Sequence, residues 1–319
     1  MAEMKLHGKR VLVTGITGFI GSHLAERLVA EGARVSAIGR KPATELRALG
    51  IVEEIDYYSA SRWTRETLEP IVRSVRPEIV FHLAAAGVTE PYLDAEVAVQ
   101  FNVGATLALL QSVSPGEYER FVYVGTCYEY GHTTPPISED VPLDPVNIYA
   151  ASKAAASLFC QMYHRSYGWP IIIVRPFAAY GPRQSARALI PQVIDHALRG
   201  QDFEMTPGEQ GRDWIYVSDL VEGLVLAAVA ERAVGQTINL CTGEEHSVRE
   251  VVSQVLALMG NPVRAVPGAR PYRPGEVWHL VGDNRKAKEL LHWEPRVSLE
   301  EGLRRTIAWY TTEYRSAHA

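Results

Sequence analysis

Three glycines spaced three residues apart restrict what this chain can fold into more than any other feature of its sequence. Gly15, Gly18 and Gly21 follow Val11-Leu12-Val13, an apolar run typical of a buried parallel strand. Because glycine has no side chain and tolerates unusual dihedral angles, such a turn lets backbone N–H groups approach a diphosphate closely. The turn therefore predicts a dinucleotide site. The contacts that we expect there are Gly15, Thr17, Gly18, Phe19, Ile20 and Gly21.

The residues around the turn complete a mononucleotide-binding unit. A glycine-rich turn alone is often only structural, so its surroundings decide the interpretation. A second β-branched run, residues 34–38, follows Glu31-Gly32, so strand, turn, helix and strand close within about thirty residues. The apolar residues at helical spacing between the two strands are Ile20, Leu24 and Leu28.

The end of the second strand discriminates between cofactors. An acidic side chain there usually accepts hydrogen bonds from the adenosine ribose of NAD, but the chain reads Gly39-Arg40-Lys41. Gly39 leaves room for a 2'-phosphate, and Arg40 supplies a guanidinium to bind it. This pattern favours NADP(H), and NAD remains possible. The alternative is a solvated basic turn, since Lys and Arg are mostly surface residues.

Composition places the chain among ordinary globular proteins. It has 319 residues, of which 47% are hydrophobic and 22% charged, and its formal net charge is −5. Without a long basic run or a long apolar run, we expect neither nucleic-acid binding nor a membrane span, and a cytoplasmic location follows. We expect no metal site and no disulfide, because the cysteines are far apart in the sequence: Cys127, Cys160 and Cys241.

Further apolar runs at residues 79–81, 121–124 and 171–174 alternate with helical stretches, which predicts a parallel sheet covered on both faces. The fold class is therefore α/β, a Rossmann-like doubly wound parallel sheet with a smaller C-terminal α+β substrate domain. Prolines interrupt the pattern after residue 176. We expect a cofactor domain of residues 1–176, to which about 212–242 return. The substrate domain then comprises 177–211 and 243–319.

Tyr149 and Lys153 are four residues apart in an Ala-rich segment, residues 149–167, so both side chains project from one face of a predicted helix. A neighbouring ammonium favours a phenolate, so we expect a lowered pKa for Tyr149 and a role as acid or base. The spacing alone is weak, because both residue types are common on helix surfaces. Thr126 strengthens it, because it ends another predicted strand and parallel sheets bind ligands at those ends.

With these residues the sequence resembles the extended short-chain dehydrogenase/reductase family, in particular its branch acting on nucleotide-linked sugars. The resemblance covers nearly the whole chain. It rests on Thr14-Gly-x-x-Gly-Phe-x-Gly21, His82-Leu83-Ala84-Ala85, Asn102-Val-Gly-Ala-Thr106, Thr126 with Tyr130-Gly131, Tyr149-x-x-Ser152-Lys153, Arg175-Pro176-Phe177, Gly211-Arg212-Asp213 and Arg273-Pro274-Gly275-Glu276.

The resemblance implies a role for each matched residue. Tyr149 moves the hydroxyl proton, Thr126 hydrogen-bonds the same oxygen, and Lys153 binds the nicotinamide ribose. Further cofactor contacts are implied at Leu83, Ala84, Ala85, Asn102, Tyr149, Lys153 and Pro176. Substrate contacts are implied at Thr126, Cys127, Tyr128, Arg212 and Arg273, the two arginines suiting a diphosphate. The alternative for the arginines is surface pairing with Asp213 or Glu276.

Three reactions share this chemistry: reduction of a keto sugar, 4-epimerisation and 4,6-dehydration. Dehydratases of the family carry an acidic residue just after the catalytic Thr, where this chain has Cys127-Tyr128, and Glu129 comes one position later. A reductase consumes NADPH, so Gly39-Arg40 favours an NADPH-dependent 4-ketoreductase, with an epimerase as the alternative. A non-catalytic dinucleotide sensor is a third possibility. We also expect a homodimer, paired through helices at residues 97–112 and 149–167.

Overall fold

Seven parallel strands form the central sheet in the computed structural model, which describes residues 6–40, 54–87, 93–113, 116 and 118–318. The sheet strands are β1 (Arg10–Thr14), β2 (Arg34–Gly39), β3 (Ile55–Ser59), β4 (Ile79–His82), β5 (Arg120–Val124), β6 (Ile171–Pro176) and β11 (Thr237–Leu240). The shorter strands are β7 (Ala178–Tyr180), β8 (Phe203–Met205), β9 (Gly211–Arg212), β10 (Trp214–Tyr216), β12 (His246–Ser247), β13 (Ala265–Pro267) and β14 (His279–Leu280).

Helices separate these strands along the chain. They are α1 (Phe19–Ala30), α2 (Arg65–Val75), α3 (Ala95–Ala98), α4 (Ala105–Ser112), α5 (Ile148–Tyr167), α6 (Leu189–Leu198), α7 (Val217–Val229), α8 (Val248–Leu258), α9 (Arg285–Leu291) and α10 (Leu299–His318). A π-helical stretch, Val99–Gly104, joins α3 to α4, so the helix predicted at residues 97–112 is present but is not regular. None of the helices in the described part of the chain is both long enough and apolar enough to cross a bilayer.

The strand order is β11-β6-β5-β4-β1-β2-β3, and β1 pairs with both β2 and β4. The chain therefore winds in one direction from β1 to β3 and in the other from β4 onward. Ligands of open parallel sheets bind at the carboxyl ends of the strands where this reversal occurs. The order confirms the predicted Rossmann-like fold, and it places the cleft above β1 and β4.

Both faces of the sheet are covered, which explains the uninterrupted apolar runs in the sequence. Val11 and Val13 of β1 face one core cluster, whereas Leu12 between them faces another. The first cluster receives α1 and α7, and the second receives α2, α4 and α5. A third cluster contains Ile137, which is fully buried in the loop before α5.

The last part of the chain both joins the main sheet and builds small sheets of its own. Strand β11 pairs in parallel with β6 at the sheet edge, in the segment expected to return. Outside the main sheet, β7 pairs with β10, β9 pairs with β12 and β14, and β8 pairs with β13. The division into two domains stays a prediction.

Candidate active site

The glycine turn is shaped by backbone contacts that leave no room for side chains. Gly15 has φ of +77°, and a Cβ there would lie 2.7 Å from the backbone nitrogen of Ala84 at the end of β4. A Cβ on Gly21 would overlap the carbonyl oxygen of Gly15. Gly18 precedes α1 in extended geometry, and no side chain caps this helix. Its first N–H groups are thus available to an anion, and the cradle fits a dinucleotide diphosphate.

Arg40 lies at the carboxyl end of β2 and stacks on an aromatic ring. Its guanidinium carbon is 4.3 Å from the ring centroid of Phe101, and its side chain is exposed. The hydroxyl of Tyr57 from β3 occupies the place of a Cβ on Gly39. A carboxylate at position 39 therefore has no room without movement of Tyr57. Lys41 lies outside the described residues.

Asn102 ties the end of β4 to α5. It is buried in the π-helical stretch, where its carboxamide accepts a 2.7 Å hydrogen bond from the Ala86 amide and donates one of 3.1 Å to the Ala86 carbonyl. The same carboxamide donates to the hydroxyl of Ser152 at 2.8 Å, and Ser152 donates to the carbonyl of Tyr149 at 2.8 Å. This chain of bonds fixes α5 against the cofactor edge of the sheet.

His82 extends this network to the glycine turn, a link that the sequence motif did not reveal. Thr106 donates its hydroxyl to the Asn102 carbonyl at 2.7 Å, so it accepts from His82 Nε2 at 2.9 Å. His82 Nδ1 then accepts from Thr14 at 2.7 Å, and the Thr14 hydroxyl accepts from the Ala84 amide at 3.3 Å. Burial, helped by the charge of Lys153, lowers the pKa of His82 to about 3, so the ring is neutral.

Thr126, Tyr149 and Lys153 meet at the carboxyl end of β5. Thr126 follows β5 and caps a short 3-10 helix, Cys127–Tyr130. Tyr149 lies in the first turn of α5, which Asn147 caps by accepting from the Ala150 amide at 2.8 Å, and its phenol lies beside the Thr126 side chain. Lys153 follows one turn later. Its ammonium donates to the Val124 carbonyl at 2.7 Å and lies 4.2 Å from the ring centroid of Tyr123.

The electrostatics of this trio differ from the sequence prediction. Burial raises the pKa of Tyr149 well above its ordinary value, and the Glu129 carboxylate raises it further, whereas the polar Thr126 side chain lowers it. The expected lowering by Lys153 is therefore wrong, because that ammonium is bound to Val124. Burial lowers the pKa of Lys153 to about 8, against the opposing effect of Glu129. At neutral pH the phenol is protonated and the lysine is charged.

The predicted substrate residues fall into two groups. The guanidinium of Arg212 pairs with Glu276 at 2.5 Å and is close enough to Tyr128 and Cys127 for their charges to act on it, so Arg212 lies beside the Thr126 segment. Cys127 is buried there, and burial raises the pKa of its thiol to about 12, so it stays protonated. Arg273 is exposed, and its side chain makes no hydrogen bond or ion pair within the described residues.

The remaining predicted cofactor residues lie along the same edge. Leu83, Ala84 and Ala85 follow β4, and Pro176 ends β6. Thr17, Phe19 and Ile20 belong to the turn and to the start of α1. A diphosphate cradle, a protonated phenol and a buried lysine on one edge of a Rossmann sheet define a dinucleotide-dependent dehydrogenase or reductase class of protein.

Comparison with known proteins identifies the particular family. Residues 12–306 match the family model described as GDP-mannose 4,6 dehydratase. A UDP-glucose 4-epimerase of Mycolicibacterium smegmatis is 31% identical over 94% of this chain and 98% of its own length. A dTDP-glucose 4,6-dehydratase of Xanthomonas campestris is 30% identical over 94% of this chain and 93% of its own length.

Solved structures agree with these relatives. A UDP-glucuronic acid 4-epimerase from Bacillus cereus, in complex with UDP-glucuronic acid and NAD, superposes with a TM-score of 0.86 at 28% identity. The match covers 95% of this chain and 99% of that protein. The chain thus belongs to the extended short-chain dehydrogenase/reductase family of enzymes, in its branch of nucleotide-sugar epimerases and dehydratases.

Proposed function

We propose that this protein is an NADP(H)-dependent reductase that converts a nucleotide-linked 4-keto (6-deoxy) hexose to the alcohol. The observation that carries the choice of reductase is the end of β2, where Arg40 stacks on Phe101 and Gly39 replaces an acid. A guanidinium there binds a 2'-phosphate, the group that distinguishes the reducing coenzyme. A reductase consumes one reduced coenzyme in each cycle, so a site that selects the coenzyme with a 2'-phosphate suits a reductase.

Each residue of the site has a separate role in the proposed reduction. The cofactor, held by the glycine turn, supplies a hydride to the carbonyl carbon when it is bound. Tyr149 donates its proton to the carbonyl oxygen, Thr126 hydrogen-bonds that oxygen, and Lys153 would hold the nicotinamide ribose. Solvent then reprotonates Tyr149. A phenol that is protonated at neutral pH suits this direction of proton transfer, because reduction begins with an acid.

The residues after Thr126 count against elimination of water. Cys127 and Tyr128 provide no carboxyl group, and the carboxylate of Glu129 is fully buried and hydrogen-bonded to other groups. A 4-epimerase is the second candidate, and the epimerases among the relatives support it. An epimerase keeps its cofactor through the cycle, whereas a reductase releases it. The two functions therefore make different predictions about the purified protein.

Purified protein tests the proposal in two measurements. We expect mass spectrometry of heat-released cofactor to detect NADP(H) or little cofactor, and NADPH absorbance to fall when nucleotide-linked 4-keto-6-deoxy sugars are added. Tightly bound NAD, together with interconversion of two sugar nucleotides without net oxidation, would instead assign the epimerase. Absence of NADPH oxidation across uridine, thymidine, guanosine and cytidine derivatives would contradict the reductase.

We also propose a homodimer formed through α5. This helix exposes large apolar side chains, including Leu158 at 55% and Tyr167 at 65% exposure, although its opposite face is already buried in the core. Val99 in the π-helical stretch is 58% exposed as well. A second copy would cover these side chains. Light scattering should give about twice 35.3 kDa, and Leu158→Lys should dissociate the dimer; a wild-type mass near 35.3 kDa would refute it.

A further inference from the structure

Glu129 is a fully buried acidic residue three positions after Thr126, and its carboxylate lies next to the Thr126 backbone. One carboxylate oxygen accepts a 2.8 Å hydrogen bond from the backbone amide of Thr126. The other accepts from the hydroxyl of Ser157 at 2.7 Å and from Nε of Arg175 at 3.0 Å. The carboxylate therefore joins the end of β5, the middle of α5 and the end of β6.

The residues around the Glu129 carboxylate leave space for it and pair with its charge. A Cβ on Gly125 would overlap the Glu129 carboxylate, so the glycine provides its space. Arg175 is 1% exposed and stacks on the ring of Tyr130, 4.6 Å from its centroid. Tyr130 in turn donates to the Asn239 side chain of β11 at 2.7 Å. Burying such a pair contributes little net stability compared with apolar residues of similar volume, so the pair calls for another reason.

We propose that Glu129 is a positioning residue of the active site, which anchors the backbone of Thr126 and keeps the ammonium of Lys153 charged. The inference rests on the proposed roles of Thr126 and Lys153. Ser157 is one helical turn beyond Lys153 on α5. The Glu129 carboxylate therefore fixes the position of Thr126 relative to the helix that carries Lys153. An ammonium taken out of water needs a nearby negative charge to remain protonated.

Charged and titratable groups face this carboxylate from every element packed around it. Arg175 neutralises it from β6, and Tyr130 lies beyond Arg175. The groups on which its charge acts also include Tyr123 of β5, Cys127 of the short helix, and Tyr149, Lys153 and Cys160 of α5. Burial lowers the pKa of Lys153 to about 8, and Glu129 opposes this lowering. Loss of the negative charge must therefore lower the pKa of Lys153 further.

Lysine titration by NMR tests this without any substrate. The chain has six lysines, so protein labelled with 13C-lysine gives few Cε signals, and Lys153→Met assigns the one of interest. We expect Lys153 to titrate with a pKa of about 8 in the wild type. In Glu129→Gln we expect that pKa to fall by about one pH unit, a modest effect for one buried charge. An unchanged Lys153 pKa in folded Glu129→Gln would overturn the proposal.

A second variant and a control separate charge from folding. If Gln at position 129 leaves Arg175 unpaired and the protein unfolds, the double variant Glu129→Gln with Arg175→Met removes both buried charges. The Lys153 pKa should then still fall, but by less than in Glu129→Gln, because the loss of the Arg175 cation partly cancels the loss of the carboxylate. Ser157→Ala removes one hydrogen bond to the carboxylate and leaves its charge, so the Lys153 pKa should stay at the wild-type value. A fall of similar size in Ser157→Ala would assign the effect to packing and contradict the proposal.

Kinetics add a readout once a substrate is known. In the reductive direction activity requires protonated Tyr149 and Lys153, and Glu129 raises the pKa of both groups. The alkaline limb of kcat/KM should therefore move to lower pH in Glu129→Gln, whichever group controls it. The NMR result stands independently, so failure of the NADPH assay alone would reject the reductase and leave the role of Glu129 intact.

Discussion

We expect the replacement of Tyr149 by Phe to lower the rate of the proposed sugar reduction by about 10²- to 10⁴-fold, the usual contribution of one positioned acid. The ring stays in place, and only the phenolic hydroxyl, which is the proton donor, is lost. The free energy of unfolding should change by no more than about 1 kcal/mol, because at most one hydrogen bond is removed. Single-turnover mixing with NADPH and substrate measures the rate, and fluorescence titration of NADPH shows that binding is retained.

Tyr163→Phe is the matched control for this variant. Tyr163 is on the same helix and stacks on Trp169 with ring centroids 4.4 Å apart, and its hydroxyl accepts from Gln111 at 3.1 Å. Its loss removes a phenolic hydroxyl away from the Thr126 edge, so the rate should remain near that of the wild type. Wild-type turnover in Tyr149→Phe would reject the proposed acid. It would also favour the alternative of a dinucleotide-binding protein without this catalysis.

Replacing Arg40 by Ala is expected to weaken NADPH binding by roughly 10- to 100-fold and to leave NADH binding nearly unchanged. The reason is that a guanidinium bound to a phosphate forms charge-assisted hydrogen bonds that an unphosphorylated ribose does not need. Stacking on Phe101 already holds the guanidinium near the strand end, so little ordering is required on binding. Calorimetric titration with both coenzymes gives the ratio of the two dissociation constants.

Arg34→Ala controls for net charge in this experiment. Arg34 is exposed at the opposite end of β2, so its removal changes the protein charge equally but far from the proposed phosphate site. Equal weakening in both variants would indicate a nonspecific charge effect, and unchanged NADPH binding in Arg40→Ala would withdraw the NADP assignment. Gly39→Asp is expected to bind both coenzymes poorly, because the Tyr57 hydroxyl occupies the space that the new side chain needs.

Much of the fold could be predicted from local patterns. Five strong apolar runs became β1, β2, β4, β5 and β6, since parallel strands buried on both faces leave a plain signal. The segment predicted at residues 149–167 became α5, which begins one residue earlier. Residues 237–240 form β11 and pair with β6 at the edge of the sheet, whereas the division into domains stays a prediction.

The π-helical stretch was beyond such patterns. No pattern in its sequence indicates the extra residue in the turn, and the structure shows Asn102 in this stretch bonded to both Ala86 and Ser152. Glu129 was equally hidden. Its distance from Thr126 in the sequence argued against a role in elimination, but nothing local indicated that Arg175 would neutralise it across the sheet.

The sequence by itself determined the chemistry that is available here: a glycine turn, a basic strand end, and a threonine, a tyrosine and a lysine in a recognisable order. These are local properties, because they depend on residue type and spacing along one strand or helix. Only the tertiary structure decided which of the titratable side chains are protonated at neutral pH. The pKa values of Tyr149, Lys153 and His82 depend on burial and on charges from distant segments, and desolvation outweighed the effect of a neighbour four residues away.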